Sequence, residues 1–158
     1  MHFCTQESRT VLDSFHSIAF THRNLSVDDI GKLHIAEESQ PLRLNDLSQK
    51  LGLNELMFLS TCNRVEFLFC TLKNVDYHFI LAFFETLYPE MEREEIAKFA
   101  HSSEQFSGLN AVEHTLRVAA SIDSMIIGER EIITQVRNAF ETSKSNGLTG
   151  DFLRILMR

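Results

Sequence analysis

The chain has 158 residues, and its 15 Lys+Arg against 22 Asp+Glu leave a formal charge of −7. That length makes one domain with room for a real core, and a 44% hydrophobic, 23% charged composition excludes a disordered segment. The longest apolar stretches, 60–71 and 79–84, are too short to span a bilayer, and the acidic balance excludes a domain that grips nucleic acid by charge alone.

Residues 1–13 are polar and unpatterned, lack the basic-then-apolar order of a secretory signal, and read as a loose lead-in. Segment 14–21 alternates Phe15, Ser17 and Ala19 against His16, Ile18 and Phe20, the period of two that marks a strand. Thr21-His22-Arg23-Asn24 reads as a loop. Ser26 with Asp29 three residues on is a capping box for a short helix over 27–33. Pro41 belongs to the first turn of a second helix, whose apolar stripe is Leu44, Leu47 and Leu51 and which Gly52 stops. Runs 55–60 (ELMFLS) and 65–71 (VEFLFCT) read as strands joined by the four-residue connection Thr61-Cys62-Asn63-Arg64. Tyr77, Ile80, Phe83, Phe84 and Leu87 then recur at helical spacing before Pro89. The charged run 90–95 reads as a solvated turn and 97–101 (AKFAH) as a fourth, short strand.

Strand, helix, strand, strand, helix, strand is the order of an α+β, ferredoxin-like split βαβ fold, with an antiparallel sheet and helices on one face. Three C-terminal helices follow. The first covers 109–121 after Gly108, and the second covers 129–145 and is closed by Ser145-Asn146-Gly147. The third starts at Asp151, an N-cap candidate, and keeps its pattern to Arg158, which suggests a piece of a longer chain.

Cys62 stands in the strand connection beside Thr61, Asn63 and Arg64. A thiol becomes a nucleophile when a cation stabilises its thiolate and solvent reaches it, and turn N–H groups can hold an oxyanion. A buried cysteine at a strand end is the competing reading. Cys70 alternates inside a strand and reads as core, Cys4 lies in the lead-in, and three cysteines suit reduced thiols in the cytoplasm. On helix 109–121 the main apolar stripe is Leu109, Val112, Leu116 and Ala119, while Ala111, His114, Val118 and Ser121 form a second face of mostly small residues. His114 is thereby pressed against a second buried surface or a site. No His/Cys spacing suits zinc, the six glycines never cluster into a phosphate cradle, and Phe67 and Phe69 lack the basic-glycine pattern of an RNA-recognition strand. Glu131 and Gln135 share a helical face away from Ile133, Val136 and Phe140, either a solvated surface or a polar wall for an ammonium or carboxylate.

Ser60-Thr61-Cys62-Asn63-Arg64-Val65-Glu66 resembles the signature of the glutamyl-tRNA reductase family. Ala19-Phe20-Thr21-His22-Arg23 with Val27, and the block from Val112 to Gln135, resemble two further blocks of that family in order and spacing. The resemblance implies a ferredoxin-like catalytic glutamyl-tRNA-binding domain over 14–146 and the start of a linker helix over 147–158, with NADPH-binding and dimerisation domains lying elsewhere. It implies that Cys62 attacks the ester of glutamyl-tRNA to give a glutamyl thioester, which NADPH reduces to glutamate-1-semialdehyde on the route to tetrapyrroles. His114 matches a catalytic position, and Thr61, Asn63, Arg64, Ser124, Glu129 and Gln135 match substrate contacts. Arg130 and Glu131 stand where the family commonly has Pro-Gln, and are placed with the substrate contacts by position. Arg64 either pairs with a substrate carboxylate or lowers the thiol pKa. A homodimer, and the aminomutase that consumes glutamate-1-semialdehyde, are the implied partners. A cysteine-dependent thioesterase or acyltransferase, and a non-catalytic regulatory module, are the alternatives on this fold.

Overall fold

A computed structural model describes residues 10–122 and 131–158. After a 3-10 turn at Leu12–Ser14 the order is β1 (Phe15–Thr21), α1 (Val27–Lys32), α2 (Gln40–Leu51), β2 (Glu55–Thr61), β3 (Arg64–Cys70), α3 (Tyr77–Leu87), α4 (Arg93–Ser102), β4 (Glu104–Ser107), α5 (Gly108–Ala119), α6 (Glu131–Ser145) and α7 (Asp151–Leu156). The sheet runs β2-β3-β1-β4 and every neighbouring pair is antiparallel, the strand arrangement of a split βαβ fold.

Local chemistry sets the boundaries. Ser26 Oγ accepts from the Asp29 N–H at 3.2 Å and opens α1, and Asp76 Oδ1 accepts from the Phe79 N–H at 2.9 Å and opens α3. Gly52 ends α2 in the left-handed region at φ 67°, which a Cβ would strain. Asn24 ties the loop after β1 to α4, its Nδ2 donating to the Ser102 carbonyl at 2.6 Å.

Several expectations are corrected. The lead-in does not remain loose to residue 13, because Leu12–Ser14 form a turn closed by Asp13, which accepts from the Thr10 N–H at 2.8 Å. The β2–β3 connection is the two-residue turn Cys62-Asn63, since Thr61 and Arg64 pair across the strands. Residues 97–101 are helical, within α4. Ile96, Phe99 and Ala100 are its buried residues, so the i, i+3, i+4 period prevails over the short apolar run. The fourth strand is Glu104–Ser107, too short and polar to announce itself. Asp151 is the first helical residue of α7 rather than its cap. Gly150 holds the cap position, and the Glu55 carboxylate accepts from the Phe152 and Leu153 N–H groups at 3.0 and 2.9 Å.

Helices cover both faces of the sheet, not one. Ile18, Phe20, Phe58, Phe67 and Phe69 point into a core with the residues of α2, α3 and α4, where Phe67 meets the rings of Phe58, Phe83 and Phe84. Phe15, Met57, Leu59, Leu68 and Cys70 point the other way, onto α5, α6 and α7. The trailing helices therefore supply a third layer, and every residue of β3 is buried. This second face carries the chemistry. On α5 the buried residues are Ala111, His114, Thr115 and Val118, while Leu109 and Leu116 of the expected main stripe are 68% and 52% exposed. Ser17 and Ala19 of β1 are the cause. Small side chains on the strand admit the small-residue face of the helix, and α5 packs on β1 and β4. On α6 the buried face is Ile132, Val136 and Ser143, with Ile133 outside it.

Candidate functional site

The β2–β3 turn presents Cys62 to solvent at the end of a hairpin whose strands are buried apart from the half-buried Ser60 and Thr61. The Thr61 hydroxyl accepts from the Asn63 N–H at 3.3 Å and braces the turn. Cys70, on the same strand pair, is inert by contrast. Burial, reinforced by the Glu55 charge and opposed by a hydrogen bond with Ser14, pushes its thiol up to about 12. Of the two cysteines among the described residues, Cys62 is the one solvent reaches.

Immediately past the turn, alternation along β3 directs Arg64 and Glu66 onto the α5 face with Leu68. Glu66 lies between Leu59 of β2 and Ala19 of β1, and Ala19 leaves space above it. Arg64 Nη1 and Glu66 Oε1 form an ion pair at side-chain exposures of 7% and 1%. His114 reaches down from α5 to the same oxygen, its Nε2 at 3.1 Å. An ionised carboxylate only accepts, so Nε2 carries a hydrogen in this contact and Nδ1 faces away from it. Phe106 of β4 stacks on the imidazole, with ring centroids 4.0 Å apart and an interplanar angle of 11°. The ring is thus fixed in its plane by Phe106 and in rotation by Glu66. A buried carboxylate is tolerated because it is paired, and here one oxygen serves both partners.

Sequence reasoning singles out Arg64 and His114, and both meet at Glu66, to which it assigns no role. The signal was present: a lone acid at the centre of an apolar strand buried on both faces needs a partner. Phe106 was missed with β4 itself. His114 Nε2 is bonded to Glu66 rather than to the Cys62 thiol. Gln135 Nε2 donates to Glu131 Oε1 at 3.5 Å, and Gln135 lines a cleft beside Ser60. Ser124, Glu129 and Arg130 lie outside the described residues. A second cleft, about 380 Å³, opens over Phe106 and His114 between Arg23, Glu104, Asn110 and Arg117, and brings charged groups of both signs to the edge of the imidazole.

The described residues do not fit a nicotinamide dinucleotide. Their strand pairs are all antiparallel, and the single glycine that opens α5 has none near it, whereas pyrophosphate binding of that kind uses a glycine-rich turn between a parallel strand and a helix. Among the described residues no group of three or more His, Cys, Asp or Glu could hold a metal ion, and no helix is long and apolar enough to cross a membrane.

Comparison with known proteins bears on this geometry. Residues 18–158 match the family described as glutamyl-tRNA(Glu) reductase, N-terminal domain. The chain is 36% identical over 126 residues to a glutamyl-tRNA reductase of Syntrophobacter fumaroxidans, covering 78% of this chain and 26% of that protein. It is 34% identical over 137 residues to one of Solibacter usitatus, covering 87% and 32%. The solved glutamyl-tRNA reductase of Methanopyrus kandleri superposes with a TM-score of 0.68 at 26% identity, over 92% of this chain and 32% of that one. The chain thus spans about a quarter to a third of these relatives' length.

Proposed function

The chain belongs to the glutamyl-tRNA reductase N-terminal domain family, and we propose that it carries the acyl-transfer half of that chemistry, with Cys62 as the nucleophile. The observation that supports this most is the contrast between the cysteines: Cys62 exposed on a braced two-residue turn, Cys70 buried. In the proposed step the Cys62 sulfur bonds to the ester carbonyl carbon of glutamyl-tRNA. The carbon–oxygen bond to the terminal ribose breaks with its electron pair on the ribose oxygen, and the proton lost by the thiol ends on that oxygen. An aminoacyl ester is already activated, so the step asks for positioning and an oxyanion site more than for a strong base.

Arg64, Glu66 and His114 form the charged wall beside the turn. On this reading His114 handles the proton through Nδ1, while Glu66 holds the ring. Arg64, fixed beside the turn by its ion pair with Glu66, carries the planar guanidinium that suits a carboxylate of the glutamyl group. Thr61, Asn63 and Gln135 complete the glutamyl contacts, with Ser124, Glu129, Arg130 and Glu131 proposed by position. The reduction for which the relatives are named is not assigned to these residues, nor are the NADPH site, the homodimer and the aminomutase partner implied by the resemblance. Residues 14–146 are the acyl-transfer unit in this scheme, and 147–158 begin the link to the rest of the longer protein, which works on the route to tetrapyrroles.

Alone, this chain leaves water as the acceptor of the thioester, so it should release free glutamate slowly from glutamyl-tRNA. Cys62→Ser should abolish that release without changing the melting temperature, since an exposed, near-isosteric replacement opens no cavity. Release at the wild-type rate by Cys62→Ser would overturn the assignment.

A further inference from the structure

One cleft is left largely unused by this reading. At Leu56 the edge strand β2 turns its backbone away from β3: the N–H donates to the Leu148 carbonyl at 2.8 Å, and the carbonyl accepts from Ser143 Oγ. A period of two turns the same groups of Phe58 and Ser60 to that outer edge. There the edge opens into a cleft of about 210 Å³, with His34 and Gln40 on one side and Gln135, Asn138 and Thr142 of α6 on the other. His34 Nδ1 lies 3.1 Å from Ser60 Oγ and braces that end.

The lining decides the kind of occupant. Among the described residues it contains no Lys or Arg and its one carboxylate is Glu37, so they offer a phosphate or carboxylate no Lys or Arg cation. Strand-edge N–H and C=O groups, the side-chain amides of Gln40, Gln135 and Asn138 and the hydroxyls of Ser60 and Thr142 instead suit a neutral group with both donors and acceptors. The volume falls below the roughly 300–1,000 Å³ of pockets that enclose whole small molecules, so the cleft takes part of a larger one. Ser60 stands two residues from Cys62, about 7 Å along an extended strand, a spacing that one ribose ring can bridge.

We propose that this cleft seats the terminal adenine of glutamyl-tRNA while its ester carbonyl stands at Cys62. The inference rests on the Cys62 reading. The ester is carried by the ribose of that adenosine, so its base must lie beside the nucleophile whatever holds the rest of the tRNA. Adenine presents an amino donor next to a ring-nitrogen acceptor, complementary to a C=O and an N–H on one strand edge. Guanine presents a carbonyl where adenine has the amine, and would set oxygen against oxygen.

The test compares acylation of Cys62 in this chain by 3′-O-glutamyl-adenosine, 3′-O-glutamyl-guanosine and glutamyl methyl ester, followed by intact-protein mass. Two base hydrogen bonds predict that the adenosine ester acylates about tenfold more efficiently than the other two. Asn138→Leu and Thr142→Leu, each filling the cleft from an exposed position on α6, should bring that ratio close to one. Equal efficiencies for the three esters in the unsubstituted chain overturn the cleft and leave Cys62 standing. A preference that survives both substitutions also overturns it, by placing the base elsewhere. Absence of acylation by every ester overturns the Cys62 reading and the cleft with it.

Discussion

Glu66 is the residue on which the charged wall depends, and replacing it has a calculable cost. Glu66→Ala removes a buried counter-charge from the Arg64 guanidinium, 7% exposed, and the acceptor for His114 Nε2. Breaking a buried pair from one side costs about 3–5 kcal/mol. For a chain of this size each kcal/mol lowers the melting temperature by about 2–4 °C, so the variant should melt roughly 6–20 °C lower. Arg64→Met combined with Glu66→Leu removes both charges, fills the space and should recover most of that loss, while still lacking the acid that orients His114. Urea unfolding monitored by circular dichroism measures all three proteins, and the midpoint should shift with little change in slope. A loss below about 1 kcal/mol for Glu66→Ala, or a double variant no more stable than the single, would refute the buried ion pair as drawn, since only exposed pairs are worth so little.

Other outcomes follow from the fold. Glu55→Ala removes a buried acceptor of two N–H groups at the start of α7, and should cost about 1–3 kcal/mol while speeding hydrogen exchange at Phe152 and Leu153 ahead of global unfolding. Gly52→Ala forces a Cβ into the left-handed region at φ 67° and within 3.3 Å of the Lys73 side chain, and should lower stability by about 1 kcal/mol in urea titration. The Cys70 thiol, pushed up to about 12 mainly by burial, stays neutral in the folded chain while the unfolded chain ionises near 9. Stability should therefore be insensitive to this group below pH 9 and fall as pH rises from 9 towards 12. Peptide mapping after thiol labelling at pH 8 should find Cys62 modified and Cys70 unmodified until denaturant is added.

Strands whose two faces could be told apart by alternation, such as Phe15–Thr21, were legible in the sequence, as were helices with punctuation at both ends, such as Gln40–Leu51 between Pro41 and Gly52. Elements decided by their neighbours were not. Glu104–Ser107 is a strand because β1 offers it an edge, and nothing in Glu-Gln-Phe-Ser announces that. The faces of α5 were separated correctly and His114 is buried as that face required, yet the larger apolar stripe is the exposed one. Residue size on the sheet, Ser17 and Ala19, settled the choice, and it is a property of another segment. The same distance in sequence hid the meeting of Arg64 and His114 at Glu66, which takes three elements to form.

The central claim, that Cys62 accepts the glutamyl group, is tested most directly by intact-protein and peptide mass spectrometry after incubation with glutamyl-tRNA and rapid acid quenching. The account predicts a mass gain of one glutamyl residue, located on the peptide that carries Cys62 and released by hydroxylamine. In Cys62→Ser the gain should vanish. A glutamyl adduct on Cys70 or Cys4, or one of equal yield in Cys62→Ser, would contradict it.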